Sequence, residues 1–289
     1  MSVDILQDKI RKSKNPTILE LNLNPGDLPP SYERHAGGYG AFCRKLLDGL
    51  KGIVPGVRVS FASFSLLGAE GMTELSKTLE YAVSQGYYVI LDAPEILAPA
   101  GAKQVAEAIF GEYSTFPCDG LVISGYLGSD GIKPFLPYTK KNKKDLFVIA
   151  RTANKTASEI QDLLAGSRVV HAAVADHVNR YGADTVGKFG YTRVGILGAA
   201  SSADSLRTLR SKYPKLFFLV DGYDYPNANA KNCSFAFDKF GHGAAICSGA
   251  GIACAWMQNE NVDGSDWMEY AIAAAERMKK NLSRYITIM

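Results

Sequence analysis

The chain has 289 residues, enough for one or two domains with a large core that needs no disulfide or metal staples. Apolar residues make up 47% and charged residues 21%, ordinary proportions for a globular protein. A net charge of +3 falls short of the clustered basic face that nucleic acid requires. No apolar run reaches the length of a membrane span, so neither nucleic acid nor membrane is an expected partner.

The N-terminal stretch MSVDILQDKIRKSK is amphipathic and mixed in charge, without the apolar core of a secretory leader. Five scattered cysteines, with no CxxC pair, point to buried thiols in a reducing compartment. Both readings place the protein in the cytoplasm. Short apolar runs rich in β-formers then recur at 17–23, 56–61, 87–92, 120–124, 146–150, 193–197, 216–220 and 243–247. Strands apolar on both faces suit a parallel sheet covered by helices. Helical patterns lie between them at 39–53, 71–86, 101–113, 169–182 and 202–214, and a long one follows at 266–285. Gly86 is placed to end the second of these, and Ser129 or Asp130 to cap a helix after the fourth strand. The run Lys140-Lys141-Asn142-Lys143-Lys144 reads as a solvated helix end. Eight strands alternating with helices predict an α/β fold of the (β/α)8 TIM-barrel type, a single domain over 1–289. A doubly wound open sheet is the second choice, but no glycine fingerprint follows the first strand.

Barrel enzymes work at the C-terminal ends of their strands, so those positions are the candidates. Asn22, Arg58, Asp92, Ser124, Arg151, Asp221 and Ser248 stand there, with Tyr126, Thr152, Gly222 and Gly249 just beyond. Arg58 and Asp92, on neighbouring strands, can pair with each other or hold a charged ligand. Asp221 and Asp224 bring negative charge to the place where barrels commonly bind phosphate. The four histidines are dispersed and read as structural or exposed, and no metal-ligating cluster is discernible.

The order of these strand-end residues resembles the orotidine 5′-phosphate decarboxylase family, specifically its longer bacterial subgroup. GYLGSDGIKPFL (125–136), LFVIARTAN (146–154), FGYTRVGILGAA (189–200), FFLVDGYDYPNA (217–228) and GHGAAICSGAGI (241–252) carry the resemblance, which covers nearly the whole chain. It implies a cofactor-independent carboxy-lyase of pyrimidine biosynthesis, converting orotidylate to uridylate and CO2. It also implies a dimer with sites at the subunit interface. In that family a second-strand lysine and a third-strand D-x-K-x-x-D motif form the charged array, and the motif lysine protonates the carbanion left by CO2. Here the motif reads D-A-P-E-I-L. Asp92 keeps the first acid, Pro94 stands at the lysine and Leu97 at the second acid. Arg58 replaces the second-strand lysine and Asn22 the first-strand acid. Ala250 stands where a phosphate-binding arginine is expected.

The expected function is therefore an orotidine 5′-phosphate decarboxylase-like barrel without the standard activity, either a pseudoenzyme or a diverged ligand-binding homologue. The alternatives are a working decarboxylase with a rebuilt site, or an enzyme acting on another charged metabolite through Arg58, Asp92, Glu95, Arg151 and Asp221. The expected partners are a small anionic metabolite or nucleotide and a second copy of the chain, or else an active paralogue.

Overall fold

The computed structural model describes residues 3–258 and 264–289. Eight parallel strands close into a barrel: β1 (Thr17–Leu21), β2 (Gly56–Ser60), β3 (Tyr88–Asp92), β4 (Gly120–Ser124), β5 (Asp145–Ile149), β6 (Thr192–Ala199), β7 (Leu216–Asp221) and β8 (Ala244–Ser248). Each pairs with the next, and β8 closes on β1, with Thr17 opposite Ile246. The eight expected strands are all present, within a few residues of the predicted bounds. The reason is visible in the burial: β1, β2, β3 and β8 are buried at every position, as a strand packed between a barrel interior and a helical jacket must be.

The jacket helices bury one stripe each. In the helix Ala36–Leu50, Phe42, Cys43, Leu46, Leu47 and Leu50 face the barrel. This helix begins earlier than its apolar pattern suggests, in a first turn that holds two poor helix formers, Gly37 and Gly38. His35 accounts for the start: its Nδ1 accepts from the Gly37 and Gly38 amides at 3.1 and 3.4 Å, satisfying donors that a helix start leaves open. The cap expected at Ser129 or Asp130 is not made. The short helix Ser129–Ile132 is entered through Gly128 at φ +69° with no side-chain cap, a conformation that glycine adopts without strain. Lys140 and Lys141 end the helix Leu136–Lys141, as expected. A two-stranded hairpin, Leu164–Ala165 with Arg168–Val169, follows β5. Its strands are too short to leave a periodic signal. Among the described residues, no helix is long and apolar enough to cross a membrane.

The base of the barrel, at the N-terminal ends of its strands, is tied together by Arg210, although Thr17 Oγ1 and Asp145 Oδ1 there are buried without a hydrogen-bond partner. Arg210 donates from Nε to the Ala236 carbonyl at 2.7 Å, from Nη1 to Leu216 at 2.8 Å and from Nη2 to Gly243 at 2.8 Å. Its guanidinium carbon lies 3.9 Å from the Phe218 ring centroid. Burial pulls Arg210 down to about 10. Nearby, the Tyr88 hydroxyl donates to Asp145, whose carboxyl burial pushes well above its usual range.

Candidate functional site

The opposite end of the barrel is built around Arg58. In β2 its side chain points inward, and the register sets Glu20 of β1 beside it. Arg58 Nη2 donates to Asp92 Oδ2 at 2.6 Å. Its Nη1 lies 3.4 Å from Glu20 Oε1 and 3.2 Å from Asp221 Oδ1. One guanidinium therefore faces three carboxylates, drawn from β1, β3 and β7. Burial alone would depress Arg58; the charges of Asp92, Glu20 and Asp221 more than offset this and hold it well above its ordinary value. Burial raises Asp92, against the opposing pull of Arg58. Burial also raises Glu20, to about 7, with Arg58 opposing and the neighbouring aspartates reinforcing it. Arg58 Nε and Nη1 and Asp92 Oδ1 are buried without a hydrogen-bond partner.

A cavity of about 230 Å³ opens over this group. It is lined by Glu20, Asn22, Arg58, Asp221, Tyr223 and Tyr225, with Cys247 and Gly249 among its remaining walls. Its lining contains no lysine. Asn22 accepts a hydrogen bond from Ser63 Oγ at 3.0 Å. Among the described residues, no group of three or more His, Cys, Asp or Glu is disposed to hold a metal ion.

Asp224, which also lines the cavity, fills the turn after β8. Its Oδ1 accepts from Ser248 Oγ at 2.6 Å. Its Oδ2 accepts from the Gly249 and Gly251 amides at 2.8 and 3.2 Å. A Cβ on Gly251 would lie 2.3 Å from the same carboxylate, so glycine is what admits it. The donors of this turn, where barrels commonly bind phosphate, already hold the protein's own anion.

The other sequence candidates fall outside this cavity. Pro94 opens a turn of 3-10 helix, and Leu97, 8% exposed, packs into the core. Lys103 is exposed on the helix Ala102–Phe110, and Glu95 is exposed as well. Ser124 Oγ accepts from the Tyr126 amide at 3.3 Å, while the Tyr126 hydroxyl donates to the Ala150 carbonyl at 2.6 Å. Arg151 is clamped by Asp162 through Nε at 3.0 Å and Nη2 at 2.8 Å. The Thr152 amide donates to Gln161 at 2.8 Å. His171 contacts the same Asp162 through Nδ1 at 3.1 Å, a structural role. Arg151 lines a separate cavity of about 360 Å³ with Asn154, Lys155 and Ser201, which meets the first at Tyr225.

Of the expected set, then, Asn22, Arg58, Asp92, Asp221, Gly222 and Gly249 gather at the mouth, and Ser248 supports it through Asp224. Ser124, Tyr126, Arg151 and Thr152 are engaged in the fold. Glu20 is not among the expected residues because it stands inside β1 and not at its C-terminal end. Its signal was an acid inside the apolar run TILEL, on the same face as Asn22 by the two-residue period of a strand.

No protein-family model matches the chain. It is 28% identical over 290 residues to the orotidine 5′-phosphate decarboxylase of Clostridium perfringens, covering 99% of both chains. It is 29% identical over 254 residues to that of Rhodopirellula baltica, covering 86% of this chain and 84% of the relative. Among solved structures, the Leishmania donovani OMP decarboxylase superposes with a TM-score of 0.76 at 22% identity over 99% of both chains. The Plasmodium berghei orotidine 5′-monophosphate decarboxylase gives 0.75 at 15% identity, covering 97% of this chain and 99% of that one. These superpositions speak to the fold, and the curated relatives to descent: along its length the chain is a homologue of the orotidine 5′-phosphate decarboxylases, built on their barrel.

Proposed function

We propose that this barrel no longer decarboxylates orotidylate and persists as a diverged ligand-binding protein. The observation that carries this reading is the Arg58 cluster. Protonating a carbanion needs an acid that can release its proton near neutral pH. Arg58 is the cation at the mouth, and three carboxylates hold it well above its ordinary value. An arginine so placed keeps its proton. Pro94 has no ionisable group, Leu97 is packed in the core, and no lysine lines the cavity. Glu20, raised to about 7, can release a proton near neutrality, but it is an anion-forming acid on β1 beside Arg58 and not a cationic donor on β3. The Ser248–Gly251 turn is filled by Asp224, which disfavours a phosphate there. Family analogy offers an anionic nucleotide as ligand; the charges in the mouth argue for the opposite sign.

By the same analogy we place the chain in a dimer with a second copy of itself. Its five free, buried cysteines fit a reducing compartment such as the cytoplasm.

The test is incubation of the purified protein with orotidine 5′-monophosphate, following uridine 5′-monophosphate by chromatography, with calorimetric titration of the product alongside. The expected result is neither turnover above the uncatalysed rate nor saturable binding of uridylate. Turnover that disappears in Asp92→Asn would establish a rebuilt array and overturn the reading.

A further inference from the structure

We propose that the Arg58 mouth binds a small, phosphate-free organic amine, its ammonium group received by Glu20 and Asp221 under Tyr223 and Tyr225. The inference rests on the reading of this mouth as diverged, and it names the ligand class.

Glu20 provides the first observation. It is 8% exposed and lines the cavity. Among the described residues nothing donates a hydrogen bond to it, and its contact with Arg58, at 3.4 Å, is an ion pair too long to be a good hydrogen bond. Buried carboxylates ordinarily collect donors, because an unbonded one is costly to desolvate. A carboxylate left open toward a cavity is placed to receive donors from whatever enters.

Charge provides the second. Asp92 has the short bond from Arg58, and Asp224 has three donors of its own. Glu20 and Asp221 share a single Arg58 nitrogen at longer range, and Asp221 has besides this only the neutral Gly222 amide, at 2.7 Å, so one cationic nitrogen stands against the charge of both. An ammonium group brings three donors and the positive charge that this pair lacks. A phosphate or carboxylate would meet like charge.

Shape provides the third. Tyr223 and Tyr225 also line the cavity, and aromatic rings attract organic cations. At about 230 Å³ the cavity lies below the ~300–1,000 Å³ of pockets for drug-sized ligands, which favours an amine of a few carbons.

The experiment is calorimetric titration of the full chain with propylamine, 1,4-diaminobutane and 1,5-diaminopentane. The controls are 1-propanol, 1,4-butanediol, 1,5-pentanediol and inorganic phosphate. At least one amine is expected to bind with Kd below ~1 mM, at least tenfold more tightly than its neutral counterpart, with no phosphate binding. Glu20→Gln keeps the shape and removes the charge, and is expected to weaken that amine at least tenfold while its unfolding transition remains cooperative. Failure of every amine to bind below ~10 mM, equal binding of amine and alcohol, or unchanged affinity in Glu20→Gln would each overturn the inference. The orotidylate assay reads the parent proposal separately. Amine binding with turnover overturns only the loss of activity, whereas absence of both overturns only the amine.

Discussion

Arg58 and Arg210 are buried to similar depth, 5% and 8% exposed, yet they stand at opposite ends of the barrel in opposite company. At the base, Arg210 donates to backbone carbonyls and lies over a phenyl ring. Neutral dipoles satisfy its hydrogen bonds. At the mouth, Arg58 meets three carboxylates and still has two nitrogens without a hydrogen-bond partner. Every guanidinium nitrogen of this arginine has an acceptor, although Thr17 Oγ1 and Asp145 Oδ1 at the same end have no hydrogen-bond partner. The mouth carries surplus charge and open valences, an expensive arrangement in a low-dielectric interior. Such surplus marks a place kept for a purpose other than stability.

The largest effect is expected from Arg58→Met. It leaves Glu20, Asp92 and Asp221 facing one another without a cation, and breaking a buried ion pair typically costs about 3–5 kcal/mol. Loss of the cation raises the carboxyl pKa values in the folded state still further. The acids then remain protonated at low pH and are penalised as they ionise. The loss should therefore be greater at pH 8 than at pH 5, as read by urea unfolding at both. An equal loss would break the contrast between the two ends.

Arg210→Met comes next, at roughly 2–3 kcal/mol, because it removes charge-assisted bonds to several carbonyls. Its hydrogen-bond acceptors do not titrate, so the same unfolding series should give a loss that hardly changes between pH 5 and pH 8. A strong pH dependence here would erase the distinction from the other side.

The smallest of the three belongs to Glu20→Gln, and it runs the other way. Burial raises the Glu20 carboxyl to about 7 from 4.5, so the folded state holds that proton more tightly than the unfolded chain. Relative to an uncharged side chain, Glu20 costs nothing well below pH 4.5; the penalty grows between pH 4.5 and 7, where the unfolded chain ionises and the folded carboxyl still holds its proton, and it levels off above 7. The glutamine variant should match the parent at pH 4.5 and exceed it by on the order of 2 kcal/mol at pH 8. A variant less stable than the parent at pH 8 would show that the Glu20–Arg58 attraction outweighs burial.

Much of this was legible in the sequence. Runs such as YYVILD and LFFLV carry their own strand signal. The pairing of Arg58 with Asp92 was one of two readings open from their neighbouring strands, although Arg58 stands in the middle of β2, with Ser60 and not Arg58 in register with Asp92. Three things were hidden, each for a physical reason. The helix that His35 caps starts in residues of poor propensity, so its first turn depends on an imidazole rather than on periodicity. The roles of Arg151 and Thr152 depend on Asp162 and Gln161, in the segment before a hairpin too short to read. Asp224 was visible as charge, but its capture by the Ser248–Gly251 turn is a matter of backbone geometry, and sequence separation gives no warning of it.

The Arg58 cluster also bears on the order of folding events. Its members stand at positions 20, 58, 92 and 221, so it draws together strands from both ends of the chain. The pairing of the first three can precede closure of the barrel, but the tie to Asp221 requires the seventh strand to have come round the lumen, with only β8 between it and the first. Contacts of such long sequence separation form late. Interactions that mature after the rate-limiting step govern how slowly the native state opens, with little influence on how quickly it forms. The cross-lumen tie through Asp221 is thus a latch on unfolding, and loosening it should shorten the lifetime of the closed barrel while leaving the refolding rate almost untouched.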